Sequence, residues 1–338
     1  MTRDMTVLAS LNAGLRAALA ADERVIVLGE DVLDPYGGAF KVTRGLSTEF
    51  PDRVLAMPIS EAGIVAAATG LALRGLRPVV ELMFADFLFL AGDQIVNHAA
   101  KYRAMFNEQV RVPLVIRTPA GGRRGYGPTH SQSLEKHFLG VPGLWVVAPH
   151  ALLDPGALLR QAIDVDDPVL FVEHKIAYAE PLRTDLPDYE TTRLADAASP
   201  FPALWLKPRG PADGLLLCYG GMTQPALDAA AALRDREKLE LGLVVVSQLS
   251  PTPAAHLEAV LAEAAPAAVV TVEEAPPGGG WGAEMIATIE RIRDARGLGA
   301  VSYRRVGAKG TPIPGARALE DMVLPQVDDI VAAVLDCF

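Results

Sequence analysis

Short runs of Val, Ile and Leu alternate with helical patterns along most of the chain. Residues 24–29 (RVIVLG), 54–57, 77–82 (RPVVEL), 114–118, 144–148 and 169–173 are apolar at most positions. Such runs predict strands buried on both faces rather than half-exposed ones. Between them lie helical patterns at 6–20, 62–73 and 86–104, the second with Ser60 as its predicted N-cap. A second alternation covers strands at 215–219, 241–247, 268–273 and 301–306 and helices at 225–234, 254–264, 282–292 and 327–335. Strand–helix alternation of this kind predicts α/β domains, each with a mostly parallel sheet flanked by helices. The two series are separated by a stretch containing Pro181, Pro187, Pro200, Pro202, Pro208 and Pro211. That punctuation predicts a linker at 181–211, between a domain at 1–180 and a domain at 212–338.

Composition narrows the function classes. A chain of 338 residues, half of them hydrophobic, has ample material for two buried cores. The formal charge of −10 and the lack of a basic run argue against nucleic acid as a partner. No apolar stretch is long and uninterrupted enough to span a bilayer. Residues 1–20 show neither a long apolar core nor a cleavage pattern. The two cysteines, Cys218 and Cys337, form no metal spacing and no disulfide framework. A reducing cytoplasm is therefore the expected location.

Generic motifs carry little here. No P-loop, dinucleotide fingerprint, Cys/His cluster or G-x-S-x-G elbow is present. Specific information comes from longer segments in a fixed order. They begin with Leu28-Gly29-Glu30-Asp31-Val32, residues 38–46 (GAFKVTRGL), Pro58-Ile59-Ser60-Glu61-Ala62-Gly63 and residues 81–87 (ELMFADF). Residues 93–97 (DQIVN), 99–102 (AAKY), Thr129-His130-Ser131-Gln132-Ser133 and Pro142-Gly143-Leu144 follow. Val272-Glu273-Glu274, residues 305–308 (RVGA), Thr311-Pro312-Ile313-Pro314 and Leu324-Pro325-Gln326-Val327 complete the series. It resembles the beta subunits of the pyruvate, branched-chain 2-oxo acid and acetoin dehydrogenases, over nearly the whole chain apart from the linker.

The resemblance implies a transketolase-like fold and a thiamine-diphosphate-dependent enzyme subunit. In that family an α2β2 heterotetramer decarboxylates a small 2-oxo acid and acylates the lipoyl arm of an acyltransferase core. The alpha subunit supplies the diphosphate and Mg2+ ligands, marked by a Gly-Asp-Gly that this chain lacks. No metal ligand is therefore expected from this chain at that centre. Glu61 matches the glutamate that hydrogen-bonds the cofactor's pyrimidine nitrogen. There it favours the imino tautomer, whose nitrogen removes the thiazolium proton. Taken alone, Glu61 also reads as an acid suited to a helix start. Ile59 matches the position whose backbone carbonyl receives the cofactor's amino group. Phe87 matches an aromatic against the pyrimidine, although its residue type fits a core position equally. Glu30 matches an acidic position of the family and reads as a pyrimidine neighbour or a solvated turn acid. His130 matches the active-site histidine, suited to proton transfer near neutral pH. Arg123 and Arg124 in the same loop read as contacts for an anion or as solvated side chains.

Two segments depart from the family. A structural K+ loop matches residues 162–168, where Val165 and Asp167 replace an acid and an amide. Residues 247–255 (SQLSPTPAA) lack the usual Arg and both Asp residues, which bears on docking to the acyltransferase. Two further readings stay open at this level: a non-catalytic homologue acting as a binding partner, and a transketolase-like enzyme shorn of its diphosphate site.

Overall fold

The computed structural model describes residues 5–197 and 199–338. Residues 1–4 of the expected first domain and residue 198 of the expected linker lie outside the described residues. The elements in chain order are α1 (Val7–Ala21), β1 (Val25–Gly29), α2 (Leu46–Glu49), β2 (Val54–Ala56), α3 (Glu61–Leu73), β3 (Arg77–Glu81), α4 (Leu88–Asp93), α5 (Tyr102–Met105), β4 (Val115–Ala120), β5 (Trp145–Val147), α6 (Pro155–Asp164) and β6 (Val169–His174). They continue with β7 (Tyr189–Leu194), β8 (Ala203–Pro208), β9 (Gly214–Tyr219), α7 (Thr223–Glu237), β10 (Leu241–Val246), β11 (Gln248–Ser250), α8 (Ala254–Glu263), β12 (Ala268–Val272), α9 (Trp281–Arg296), β13 (Ser302–Val306), α10 (Arg317–Asp321) and α11 (Val327–Leu335).

The chain forms two compact units. The first comprises the residues up to Ala120 together with His137–Arg183, and the second Gly121–Lys136 together with Thr184–Phe338. In the first unit the strands run in the order β5-β6-β4-β3-β1-β2, and every pairing among them is parallel. β1, β4 and β6 are buried throughout, as expected for a sheet covered on both faces. α1 and α6 approach so closely that a Cβ on Gly14 would lie 2.4 Å from the carbonyl oxygen of Gly156. Ser10 on α1 donates its hydroxyl to Asp154, the N-cap of α6, at 2.5 Å. The two helices are thus joined by glycine contact and by a shared cap.

The pattern at 86–104 predicts one long helix, and the structure breaks it. A 3-10 turn at Ala85–Phe87 leads into α4, then a π-helical stretch at Gln94–Ala99, then α5. The amide of Ala100 accordingly bonds the carbonyl of Ile95, five residues back. Gly92 and the β-branched pair Ile95-Val96 are poor helix formers, so the segment has little intrinsic resistance to this widening.

The second unit holds a sheet of order β13-β12-β9-β10-β8-β7. β13, β12, β9 and β10 are parallel, while β8 and β7 join antiparallel. Residues 181–211 therefore do not form the expected linker. β7 and β8 pair from Tyr189↔Pro208 to Leu194↔Ala203, and β8 continues onto β10. The prolines sit between or at the ends of these strands, where no ladder amide is needed. Trp205 and the leucines of β8 are buried in the core of the unit. No helix among the described residues is long and apolar enough to cross a membrane.

Candidate active site

Ligands of parallel α/β sheets gather at the carboxyl ends of the strands. In the first unit that edge carries acids. Glu30 directly follows β1, and Glu61 is the first residue of α3, whose N-cap Ser60 accepts the amide of Gly63 at 3.3 Å. The helix begins there because Pro58 blocks regular structure and Ser60 satisfies an orphan amide of the first turn. Glu61 is only 6 % exposed, an unusual state for a first-turn acid.

Glu30 is also buried, and its Oε1 meets no hydrogen-bond donor. Burial pushes its carboxyl above the usual range, with Glu61 and Asp31 adding repulsion, while the backbone amide of Ser60 pulls it back. Glu30 and Glu61 are thus two buried acids at the carboxyl edge of the sheet, near enough for Glu61 to repel the Glu30 charge. Ile59, one residue before the cap, is 85 % exposed and stands out as a large apolar side chain in water. Phe87 is half-buried at the end of the 3-10 turn. Its ring lies 5.8 Å from Phe84, which meets Phe40 at 5.7 Å, and Phe40 meets Tyr178 at 5.4 Å. This row settles Phe87 at the rim of an aromatic cluster.

A buried ionic network lies beneath the row, and sequence reasoning missed it. Arg117 on β4 holds Glu173 on β6 with two bonds of 2.7 Å and Glu81 on β3 with one of 2.8 Å. Tyr178 donates to the same Glu173 carboxylate at 2.5 Å. Lys175, wholly buried, places its Nζ 5.3 Å from the centre of the Phe84 ring.

His130 belongs to the second unit, so the structure groups it with different elements from Glu30, Ile59, Glu61 and Phe87. It is half-buried, and its Nδ1 lies 3.0 Å from the Thr129 hydroxyl. The Arg123 side chain turns inward, with its guanidinium on the Pro325 carbonyl at 2.5 Å, Gln326 at 3.3 Å and Glu274 at 3.6 Å. That position matches neither the anion contact nor the solvated side chain that the sequence allowed for Arg123.

Glu273, beside this loop's anchors, accepts the amides of Trp281 and Gly282 at the start of α9. Burial pushes its carboxyl up to about 7, against those two amides and with help from Glu135. An acid raised in the folded state loses relative stability once the unfolded chain ionises. Stability is therefore expected to fall as pH rises from 4.5 to about 7 and to level above. The change over that window is ~3 kcal/mol for this group. Melting temperatures across that range should show a shallower slope in Glu273→Gln, and identical slopes would sink the assignment.

The segment matched to a monovalent-cation loop is occupied by the chain's own cations. Arg77 donates to the carbonyls of Ile163 and Val165 at 2.7 and 3.3 Å and to the Asp166 carboxylate at 2.8 Å. Arg103 takes both oxygens of Asp167, at 2.6 and 2.8 Å. Among the described residues no group of three or more His, Cys, Asp or Glu is arranged to hold a metal ion.

Comparison with known proteins adds the following. Residues 3–181 match the transketolase pyrimidine-binding domain, and residues 205–330 match the transketolase C-terminal domain. The chain is 35 % identical over 334 residues to the beta-2 subunit of the mitochondrial pyruvate dehydrogenase E1 component of Oryza sativa subsp. japonica, covering 98 % of this chain and 85 % of that one. It is 36 % identical to the pyruvate dehydrogenase E1 beta subunit of Leifsonia xyli subsp. xyli, covering 98 % and 94 %. It is 35 % identical to the beta subunit of acetoin:2,6-dichlorophenolindophenol oxidoreductase of Cupriavidus necator, covering 98 % and 97 %. A solved structure described as a split-gene transketolase, inactive beta4 tetramer, superposes with a TM-score of 0.71 at 22 % identity, over 98 % of each chain. That likeness speaks to the fold.

Proposed function

This chain belongs to the transketolase-type family of pyruvate and acetoin dehydrogenase beta subunits, and on that footing we propose that it works as the beta half of a thiamine-diphosphate-dependent 2-oxo acid dehydrogenase. The observation that carries the reading is the buried Glu30–Glu61 pair with one unpartnered oxygen at the carboxyl edge of the sheet. A buried acceptor without a donor is costly unless a ligand completes it. An aminopyrimidine, which presents both ring nitrogens and an amino group, has the complementary chemistry, so the residues fit the group. When bound, thiamine diphosphate supplies the nucleophilic carbon and the electron sink for decarboxylation.

The chain's own residues then have distinct tasks. Glu61 holds a proton at the pyrimidine ring nitrogen and so sets the tautomer of the neighbouring amino group. Glu30, its carboxyl pushed above the usual range by burial and by Glu61, completes the polar shell on the same side. Phe87 offers an aromatic face backed by Phe84 and Phe40. Ile59 lends its backbone carbonyl to the amino group. His130 delivers and removes protons when the acyl group passes to a lipoyl arm. An alpha subunit supplies the diphosphate and Mg2+ ligands and completes an α2β2 enzyme that docks on a lipoyl acyltransferase. Arg77 and Arg103 already neutralise the 162–168 segment, so the reading requires no monovalent ion there.

The test is reconstitution. The chain is combined with a candidate alpha subunit, thiamine diphosphate and Mg2+, and a panel of 2-oxo acids is offered with an artificial electron acceptor. Turnover of at least one acid, absent from either subunit alone, is the expected result. A mixed assembly that binds no thiamine diphosphate by calorimetry would overturn the proposal.

A further inference from the structure

The loop at 121–127 has a backbone that neither a helix nor a sheet can satisfy. Gly121, Arg123, Gly125 and Gly127 all have positive φ, at 85, 68, 70 and 78°. Arg123 is the instructive one, because a side chain in that region is strained unless its surroundings hold it there. Amides flanking left-handed residues turn toward a common point and form a cradle for an anion. In this protein the anions are its own carboxylates. Glu320 on α10, wholly buried, accepts the amides of Arg123 at 2.8 Å and Gly125 at 2.9 Å. Glu274, just after β12, accepts the amide of Gly122 at 2.7 Å and the hydroxyl of Ser133 at 3.3 Å. A Cβ on Gly122 would lie 2.6 Å from Leu324 and 2.8 Å from the Glu320 carboxylate, so any side chain there would have to push the clamp aside. Two carboxylates therefore grip the chain on both sides of His130, at 122–125 and at 133.

We propose that Glu320 and Glu274 are positioning residues that hold the His130 imidazole by clamping the backbone of its loop. Neither acid needs to touch substrate or cofactor. The arrangement places rigidity where a proton-transferring group needs a fixed address. It also gives a role to two acids buried in the second unit. The proposal rests on the proton-transfer role given above to His130, so its test has readouts that do not depend on turnover.

In the isolated full-length chain, Glu320→Gln keeps the volume but sets an amide donor against backbone donors. Hydrogen exchange of the amides at 122–125 should become roughly tenfold faster, with β9 and β12 unchanged. Carbethoxylation of His130, followed by peptide mass spectrometry, should accelerate in parallel. Should β9 lose protection too, Glu274→Gln and Glu320→Asp serve as the milder variants for the same measurements. In the reconstituted enzyme, Glu320→Gln should lower kcat while KM for the 2-oxo acid holds. Adding His130→Asn to Glu320→Gln should then cost much less than it does in the parent. Unchanged exchange at 122–125, or kinetic losses that simply multiply, would overturn the proposal. Lack of turnover in the parent assembly would instead count against the enzymatic role, leaving loop exchange and His130 modification to decide the clamp.

Discussion

Glu61→Gln is expected to lower turnover of the reconstituted enzyme by ~10²–10⁴-fold, the usual range for losing a positioned proton-transfer group. The same change should leave the melting temperature almost untouched. An acid in the first turn of a helix contributes only ~0.3–1 kcal/mol through the dipole. That small term is opposed here, because Glu61 presses like charge on Glu30 and helps raise its carboxyl above the usual range. Removing the charge relieves Glu30 while it forfeits the dipole term. The two readings of Glu61, helix-start acid and cofactor acid, thus differ by orders of magnitude in activity and hardly at all in stability. Turnover at saturating thiamine diphosphate, with thermal unfolding alongside, separates them. Wild-type rates in the variant would sink the cofactor role.

Glu61 was legible because three local signals coincide there. Pro58 breaks the preceding run, Ser60 caps, and the small residues after Glu61 continue a helix; the structure starts α3 at that residue. The buried strands were legible for a similar reason, since β-branched runs such as VIVLG leave few alternatives. What escaped the sequence was pairing across distance. Arg117 and Glu173 lie 56 residues apart, and Arg117 and Glu81 lie 36 apart. Each looks like a lone charge within or at the end of an apolar strand. Parallel register is what sets them side by side, and register is a tertiary fact. Glu320 and Glu274 escaped for the same reason, 195 and 152 residues from the amides they hold. A signal existed for Glu274 in its Val-Glu-Glu segment, but nothing in that segment names the loop it grips. The proline-rich stretch misled because proline marks where strands end as readily as where order ends. β8, with Ala203, Leu204, Trp205 and Leu206 all buried, carried the opposite signal within the same stretch.

The largest stability effect is expected from Arg117→Met. Its side chain is 1 % exposed and gives its guanidinium to two carboxylates on neighbouring strands. Burial pulls the Arg117 group toward neutrality, but Glu173 and Glu81 outweigh it and hold its pKa above the ordinary value. Glu81 is pushed up by burial, with Arg117 as the main restraint. Methionine fills similar volume yet strands both carboxylates in the core. Breaking a buried pair in this way costs ~3–5 kcal/mol, far beyond the ~0–1 kcal/mol of a surface pair. Tyr178 still donates to Glu173, but Glu81 loses its main restraint and its carboxyl, already pushed up by burial, rises further, which gives the loss a sign in pH. Acids whose folded pKa lies above the unfolded value weaken the fold as pH rises. The deficit of Arg117→Met against the parent should therefore be greatest at neutral pH and shrink toward pH ~4.5, the unfolded carboxyl range. Urea midpoints of both proteins across that range measure it. Replacing Glu81 and Glu173 by leucine in the same variant should recover much of the loss, because an apolar trio has no charge left to desolvate. A deficit that stays constant with pH would mean that Arg117 acts through packing alone, and that Phe84 and Phe87 are held by the aromatic row without help from the charges beneath it.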